Sequence, residues 1–359
     1  MKILLVTLDY PPQIGGVANY YGSLVNNWPS DKLLVLDNSK MELVGWKKSF
    51  LSIAKRLFAH DIDYIIVGHI LPLGTAVYFL SKCFKFKYAV ILHGLDFSLA
   101  KKKGMISRLI LKGADKIICA NSRTKSEVIS FLGSSKNVFV INPGATEASH
   151  VRSSERMKFL DKYAHLFHKD DFNLLSVGRL VPRKGFDKVI EALQFISSYE
   201  LKNINYIIAG RGDDFERLNI LAKSANKIFG RDLIKIIGGV SDIEKNLLME
   251  LSSVFIMPSR EISGDYEGFG IVYLEANLAH LPVIAGKSGG VIDAVEDTLN
   301  GLLVDPNDAR DIAAAILKLK NNKELFKNLA KNGFERVKKD FSWKSLANKI
   351  YDICNNSRI

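Results

Sequence analysis

Residues 258–290 read PSREISGDYEGFGIVYLEANLAHLPVIAGKSGG, and their punctuation decides the fold. Just ahead, Ser252 to Met257 is a short apolar run that stops at Pro258, which cannot donate to a sheet ladder, so it reads as a buried strand. A polar, glycine-bearing loop follows. Ile271 to Ala279 then repeats its apolar residues at helical spacing. Leu281 to Gly286 is a second buried strand, closed by the glycine turn Ser288-Gly289-Gly290. Two strand ends thus bracket a loop that opens a helix, with Glu267 in the loop and Glu275 about one turn into the helix. The free N–H groups of such a helix start, reached through flexible glycines, suit a phosphate or a sugar hydroxyl. A carboxylate one turn further in can take two hydroxyls of a ribose. A lone glutamate on an amphipathic helix is ordinarily just solvated, but here there are two, set around a glycine loop.

Glu267-Gly268-Phe269-Gly270, followed by Glu275-Ala276, resembles the E-x7-E signature of the nucleotide-sugar-dependent retaining glycosyltransferases of family 4. The wording GIVYLEA, then PVIAGKSGG, is most similar to mannosyltransferases that act on phosphatidylinositol in actinobacteria. Strands and helices alternate through both halves, which predicts doubly wound α/β units. The resemblance implies the GT-B fold: two Rossmann-like domains facing across a cleft. It covers nearly the full length and is strongest in the second half. The expected divisions are 1–168, with a polar linker at 145–170; 169–340; and a helix in 341–359 that crosses back to the first domain.

Composition agrees with a globular chain. At 359 residues it is long enough for two cores. No apolar run approaches the roughly 20 residues that span a bilayer, and MKILLVTLDY is too short in its apolar part for a signal peptide. Cys83, Cys119 and Cys354 lack metal-ligand spacing and read as reduced, buried thiols of a cytoplasmic protein. Charge is uneven: residues 1–168 carry 23 Lys+Arg against 12 Asp+Glu, and 169–359 carry 27 against 26. A basic half beside a neutral one predicts an anionic partner for the first domain. No nucleic-acid motif accompanies the charge, so the expected partner is the inner face of a membrane or an anionic acceptor, not nucleic acid.

In the first half, Lys2 to Leu8 is an unbroken apolar strand, followed by Asp9-Tyr10-Pro11-Pro12, then Gly15-Gly16 and a helical run from Val17. G-x-G-x-x-G is absent, which argues against NAD. Gly15 and Gly16 let the backbone approach a phosphate or the transferred sugar. DYPPQIGGVANY matches the family's acceptor-side glycine loop, placing Tyr10 there. Asp61-Ile62-Asp63 precedes a strand and reads as a surface turn, not a metal site. The strand Tyr88 to Leu92 ends at His93-Gly94, with Asp96 close behind. Strand carboxyl ends are where parallel sheets place ligands, and a histidine there can donate to a sugar hydroxyl. LHGLD resembles the family's catalytic histidine segment; His69 is the weaker candidate. Asn121 and Arg123, after the strand Lys116 to Ala120, match a small-polar turn that the resemblance puts on the acceptor side. Two basic amphipathic segments are expected to pack an apolar stripe on the sheet, Trp46 to Ala59, with Phe50, Ile53, Ala54, Leu57 and Phe58 near one face, and Lys101 to Lys112.

The second half opens with the strand Asn173 to Val177 and GRLVPRKG. Arg179 and Lys184, on a loop started by Gly178, can clamp a diphosphate; Arg183 reads as solvated. Asp213-Asp214 follows a GxG turn and is not a metal site. By resemblance, backbone at Gly239 and Val240 meets the nucleobase, which leaves guanine and uracil unseparated. One long helical segment, Asp311 to Lys339, precedes the last helix.

The resemblance implies retaining transfer of a hexose with no metal and no further cofactor. Arg179 and Lys184 stabilise charge on the leaving diphosphate; Glu275 holds the ribose; Glu267, the Gly268–Gly270 backbone and His93 fix the sugar; Gly16 faces the reacting centre. GIVYLEA points to GDP-mannose and the basic half to a lipid-linked or envelope glycan acceptor. A UDP-sugar enzyme of O-antigen, capsule or lipopolysaccharide synthesis stays open. So do a sugar-nucleotide epimerase, a phosphorylase and a non-catalytic nucleotide-sugar-binding protein, since fold alone does not fix chemistry.

Overall fold

A computed structural model describes residues 1–13, 15–147, 151–168 and 170–356. The chain divides into two compact units, Met1–Gly144 with Phe341–Ile359, and Ala145–Asp340. Among the described residues each unit holds one six-stranded parallel sheet.

In the first unit the strands are β1 (Ile3–Val6), β2 (Leu33–Leu36), β3 (Tyr64–Val67), β4 (Lys87–Leu92), β5 (Lys116–Cys119) and β6 (Val138–Val140), in the order β2-β1-β3-β4-β5-β6. Their apolar runs are continuous because helices cover both faces. Leu4, Val6, Ile65, Val67, Val90 and Leu92 pack to one side; Ile3, Leu5, Tyr64, Ile66, Ala89 and Ile91 pack to the other. That second side is sealed by Tyr20, Tyr21 and Leu24 of helix Gly16–Asn26 and by helix Trp343–Asn355. Trp343, Leu346, Ala347, Ile350 and Cys354 of the latter are all buried. Fully burying a side chain such as Ile350 contributes about 1.5–3 kcal/mol, so the helix is firmly anchored. A Cβ on Gly144 would lie 2.8 Å from the Phe341 carbonyl and 2.9 Å from the Trp343 ring, which explains the glycine of the NPG turn.

Several expectations change. The segment Lys101 to Lys112 spans two helices, Leu95–Lys101 and Gly104–Gly113, the second opening on Gly104 at φ +37°. In helix Gly45–Ala59, Ile53 is buried and Phe50, Ala54 and Leu57 pack on the core, but Phe58 is 78% exposed. Cys119 and Cys354 are buried free thiols, whereas Cys83 is exposed.

The second unit's strands are β7 (Phe172–Val177), β8 (Ile204–Ala209), β9 (Ile234–Ile236), β10 (Val254–Met257), β11 (Val283–Gly286) and β12 (Gly301–Val304), in the order β12-β11-β10-β7-β8-β9. β12 was not expected: GLLV opens on glycine and carries a single β-branched residue, a weak strand signal. The boundary also falls earlier than 168. Helix Ser153–Tyr163, inside the expected linker, belongs to the second unit, where Arg156 pairs with Glu250 (2.7 Å) and Lys162 with Glu244 (2.8 Å). Residues 148–150 and 169 of that stretch lie outside the described residues. The long terminal segment is two helices, Ala309–Asn321 and Lys323–Asp340, parted at Asn322, whose side chain accepts the Leu325 N–H at 2.9 Å. No helix among the described residues is long and apolar enough to cross a membrane.

Candidate functional site

The second sheet reverses its strand order between β7 and β10, and open α/β sheets take ligands beyond the strand ends at such a point. The segments found there are Gly178–Gly185 and Pro258–Gly270. Lys184 Nζ lies 2.5 Å from Glu267 Oε2, and Arg183 Nη1 lies 2.7 Å from the same oxygen. Arg183 Nε is 3.2 Å from Asp265 Oδ2. Arg183 is therefore enclosed and paired, not solvated as its surroundings in the sequence suggest. The cause is the short turn Pro182–Lys184, ended by Gly185 at φ +76°, which brings two consecutive side chains to one carboxylate. A Cβ on Gly185 would sit 2.2 Å from the Pro258 carbonyl, so the turn needs glycine there.

Burial by itself raises the Glu267 carboxyl. The Lys184 and Arg183 charges outweigh it and hold the group at about 2. Both cations sit on Oε2, and Oε1 has no partner among the described residues. The Gly290 N–H donates to the Glu267 carbonyl at 2.9 Å, fixing the loop. Phe269 is 4% exposed, so its side chain belongs to the core and only backbone is on offer there. Gly270, at φ +84°, starts helix Ile271–Leu278, and a Cβ on it would lie 2.4 Å from Tyr273 Cε2. Tyr273 in turn donates to the Met257 carbonyl at 2.7 Å, tying the helix to β10.

Glu275 Oε1 is 2.8 Å from Lys245 Nζ, and Lys245 also reaches Asp242 at 3.1 Å. Burial lowers the Lys245 ammonium; Glu275 and then Asp242 reverse this and raise it. Nothing in the sequence near Lys245 points to this pairing, because it joins helix Asp242–Leu251 to a residue thirty positions away. Arg179 is exposed and makes no ion pair among the described residues.

The loops after β7, β8 and β9 are laced into a floor. Gly178 N–H donates to Ala209 O (3.0 Å), Leu180 N–H to Arg211 O (2.8 Å) and Gly210 N–H to Gly238 O (2.7 Å). A Cβ on Gly210 would fall 1.9 Å from the Gly178 carbonyl, and one on Gly212 2.2 Å from the Leu180 carbonyl. Gly239 and Val240 follow at its edge, with the Arg211 side chain crossing Gly239. Asp214 holds Arg217 at 2.5 and 2.7 Å. No group of three or more His, Cys, Asp or Glu that could hold a metal is present among the described residues.

The first unit has its own reversal, between β1 and β3. Asp9 Oδ2 and His69 Nε2 meet there at 3.0 Å, and the Leu8 N–H approaches His69 Nδ1 at 3.4 Å. Tyr10 is half-buried nearby, its phenol raised by burial and by Asp37. Gly15 and Gly16 are exposed, and nothing lies within 4 Å of a Cβ placed on either, so internal packing does not demand glycine at these positions. His93, at the end of β4, has Nε2 2.9 Å from Tyr21 Oη and its ring edge-on to Tyr20, with centroids 4.8 Å apart. Burial, with His69 adding to it, lowers the imidazole to about 3. The His93 and Gly94 N–H groups both donate to Asp96 Oδ1 at 2.9 Å. Asn121, expected on the acceptor side, is fully buried; its Oδ1 accepts the Thr124 N–H at 2.7 Å and caps helix Ser122–Leu132. Arg123 is on that helix, 3.1 Å from Glu127.

Comparison with known proteins gives the family. Residues 158–336, most of the second unit, match the family Glycosyl transferases group 1. Over 98% of the chain and 97% of the relative, the sequence is 28% identical to the GDP-mannose-dependent alpha-(1-6)-phosphatidylinositol monomannoside mannosyltransferase of Mycobacterium tuberculosis. The chain is a group 1 glycosyltransferase. It belongs to the retaining enzymes of family 4, and the two Rossmann-like units are those of GT-B. Among solved structures, this glycosyltransferase is similar to Anabaena HepE in complex with UDP (TM-score 0.79, 19% identity, 99% of this chain and 100% of that one). WaaG, a glycosyltransferase involved in lipopolysaccharide biosynthesis, has a TM-score of 0.66 at 17% identity, over 98% and 99%.

Proposed function

We propose that this glycosyltransferase moves mannose from GDP-mannose to a lipid-linked or anionic envelope glycan, with retention. The observation that carries the reading is the end-to-end likeness to a GDP-mannose-dependent enzyme acting on a phosphatidylinositol mannoside. The second unit supplies suitable parts. Arg179 and Lys184 take the diphosphate and stabilise the charge that develops as it leaves. Glu275, steadied by Lys245, takes the ribose. Glu267 offers Oε1 to a sugar hydroxyl while its other oxygen holds the two cations. Backbone at Gly239 and Val240 meets the base, and Gly178 and the Gly268–Gly270 backbone line the donor. In the first unit Gly15, Gly16, Tyr10, His93 and Arg123 face the acceptor side and the reacting centre. The leaving phosphate takes the acceptor's proton on the face from which it departs, so no second carboxylate nucleophile is needed. No metal enters the scheme.

The basic first unit docks on an anionic leaflet in this reading. Helix Gly45–Ala59 sets Lys47, Lys48, Lys55 and Arg56 beside the exposed Trp46, Leu51 and Phe58. Each cation near such a surface contributes roughly 1 kcal/mol. Flotation with phosphatidylglycerol vesicles, lost on charge reversal of these four residues, is the expected result; flotation that survives the reversal contradicts docking through this helix.

A UDP-sugar donor is the second reading, favoured by the likeness to a structure solved with UDP. Thermal unfolding with GDP, UDP, ADP and their sugars decides. A nucleotide at about 100 times its Kd stabilises by about 2.7 kcal/mol. A GDP response lost in Arg179→Ala or Glu275→Ala supports the mannosyl reading, and a response to UDP alone overturns it.

A further inference from the structure

The hydroxyl of Tyr21 stands between two groups, 2.8 Å from the Gly68 carbonyl and 2.9 Å from His93 Nε2. A carbonyl only accepts, so the phenol proton goes to Gly68. The Tyr21 oxygen is then left to accept, and the His93 contact is made by an Nε2–H. A neutral imidazole carries one N–H, so its other nitrogen, Nδ1, holds a lone pair. Nδ1 has no partner among the described residues, and His93 remains half-buried rather than enclosed.

The surroundings hold Tyr21 in this pose. The ring is fully buried, packed edge-on against Tyr20 (5.1 Å) and His93 (5.4 Å). A Cβ on Gly68 would lie 2.9 Å from both Cζ and Oη of Tyr21, so the phenol reaches that carbonyl only because residue 68 has no side chain. The other ionisable neighbours do not compete for Nε2. Asp96 is engaged through Oδ1 with the His93 and Gly94 N–H groups, and His69 is turned to Asp9.

We propose that Tyr21 is a positioning residue for the transfer: by taking the Nε2–H of His93 it fixes one imidazole tautomer, so that Nδ1 accepts a hydrogen bond from a hydroxyl of the sugar substrate. The inference rests on the proposed place of His93 in the reaction. It also reverses the sequence-based expectation that His93 donates: the nitrogen left for substrate is an acceptor. A sugar presenting an ether or a fluorine in place of that hydroxyl loses the bond.

Long-range ¹H–¹⁵N correlation spectra of the full enzyme labelled at histidine test this without substrate, with His93 assigned by loss of its signals in His93→Gln. The expected result at pH 7 is a protonated Nε2 and a lone pair on Nδ1. In Tyr21→Phe the preference for that tautomer is lost, and kcat falls about tenfold, the worth of one hydrogen bond, while donor KM stays put. A wild-type spectrum with the proton on Nδ1 overturns the inference, whichever nucleotide proves to be the donor and even if Tyr21→Phe fails to fold. A Tyr21→Phe enzyme with unchanged tautomer or unchanged kcat overturns it as well.

Discussion

Replacing Lys184 by Met tests the electrostatic account of the second unit most directly. The swap keeps an unbranched stem in a nearly enclosed position and removes only the ammonium 2.5 Å from Glu267. The Glu267 carboxyl lies at about 2 instead of the ordinary 4.5. At about 1.4 kcal/mol for each tenfold in proton affinity, that difference is worth on the order of 3 kcal/mol of folding stability, net of desolvation. With Arg183 remaining, roughly half or more is forfeited, on the order of 2 kcal/mol. For a unit of about 200 residues this lowers Tm by about 4–8 °C at pH 7. The sign with pH follows from a depressed acid. Its stabilisation is complete above the unfolded value near 4.5 and is lost as pH falls through about 2. The difference between wild type and Lys184→Met therefore shrinks between about pH 4 and pH 2. Urea unfolding at pH 7, 4 and 2.5 measures it. A penalty of the same size at every pH would mean that packing of the lysine stem, not its charge, is what was lost, and the argument fails.

Other outcomes follow from the same geometry. Gly270→Ala forces a side chain onto a φ of +84° and within 2.4 Å of Tyr273, and calorimetry should find a loss of more than about 2 kcal/mol, whereas Gly16→Ala, with open space around it, should stay within about 0.5 kcal/mol yet lose transfer activity. Equal stability losses for the two glycines would refute this contrast. Glu275→Gln strips Lys245 of its main counter-charge at a pair that is 26% and 16% exposed, so the expected cost is about 1–3 kcal/mol, partly restored by adding Lys245→Met; a double variant no more stable than the single one contradicts it. His93, lowered to about 3 by burial and by His69, stays neutral through the working range. Folding excludes its proton, so its contribution to stability is present above about pH 6.5 and is lost as pH falls toward 3. The profile of kcat/KM should lack a His93 limb between pH 5 and 8, and a limb near 6.5 that disappears in His93→Gln would be decisive against this.

The fold was legible because parallel strands covered on both faces leave unbroken apolar runs, and Ile3–Val6, Tyr64–Val67 and Val254–Met257 are such runs. Gly301–Val304 was not legible, since GLLV opens on glycine and has one β-branched residue, where the runs just named are denser in β-branched and aromatic residues. The site divides in the same way. Glu267 and Glu275 stand out through their fixed separation around a glycine loop. Their partners do not: Lys245 meets Glu275 only after β10 has been folded between the two helices that carry them, and Arg183 looks solvent-facing until the turn at Gly185 points it inward. Asn121 shows the opposite ambiguity. A small polar residue after a strand suits a ligand and a helix cap equally well, and the buried Thr124 N–H claims it.

The glycine-laced floor under β7, β8 and β9 behaves as a single mechanical part, and that constrains how such an enzyme can be re-engineered. With carbonyls 1.9 and 2.2 Å from where new Cβ atoms would stand, positions 210 and 212 tolerate no residue-by-residue search, and a library randomised there returns misfolded protein in place of altered selectivity. Variation is cheap only in what overhangs the floor, chiefly the exposed Arg211 arm and Val240. A change of nucleotide preference is therefore better sought by grafting whole strand-to-loop crossovers from a relative, each carrying its own glycine spacing, than by accumulating point substitutions.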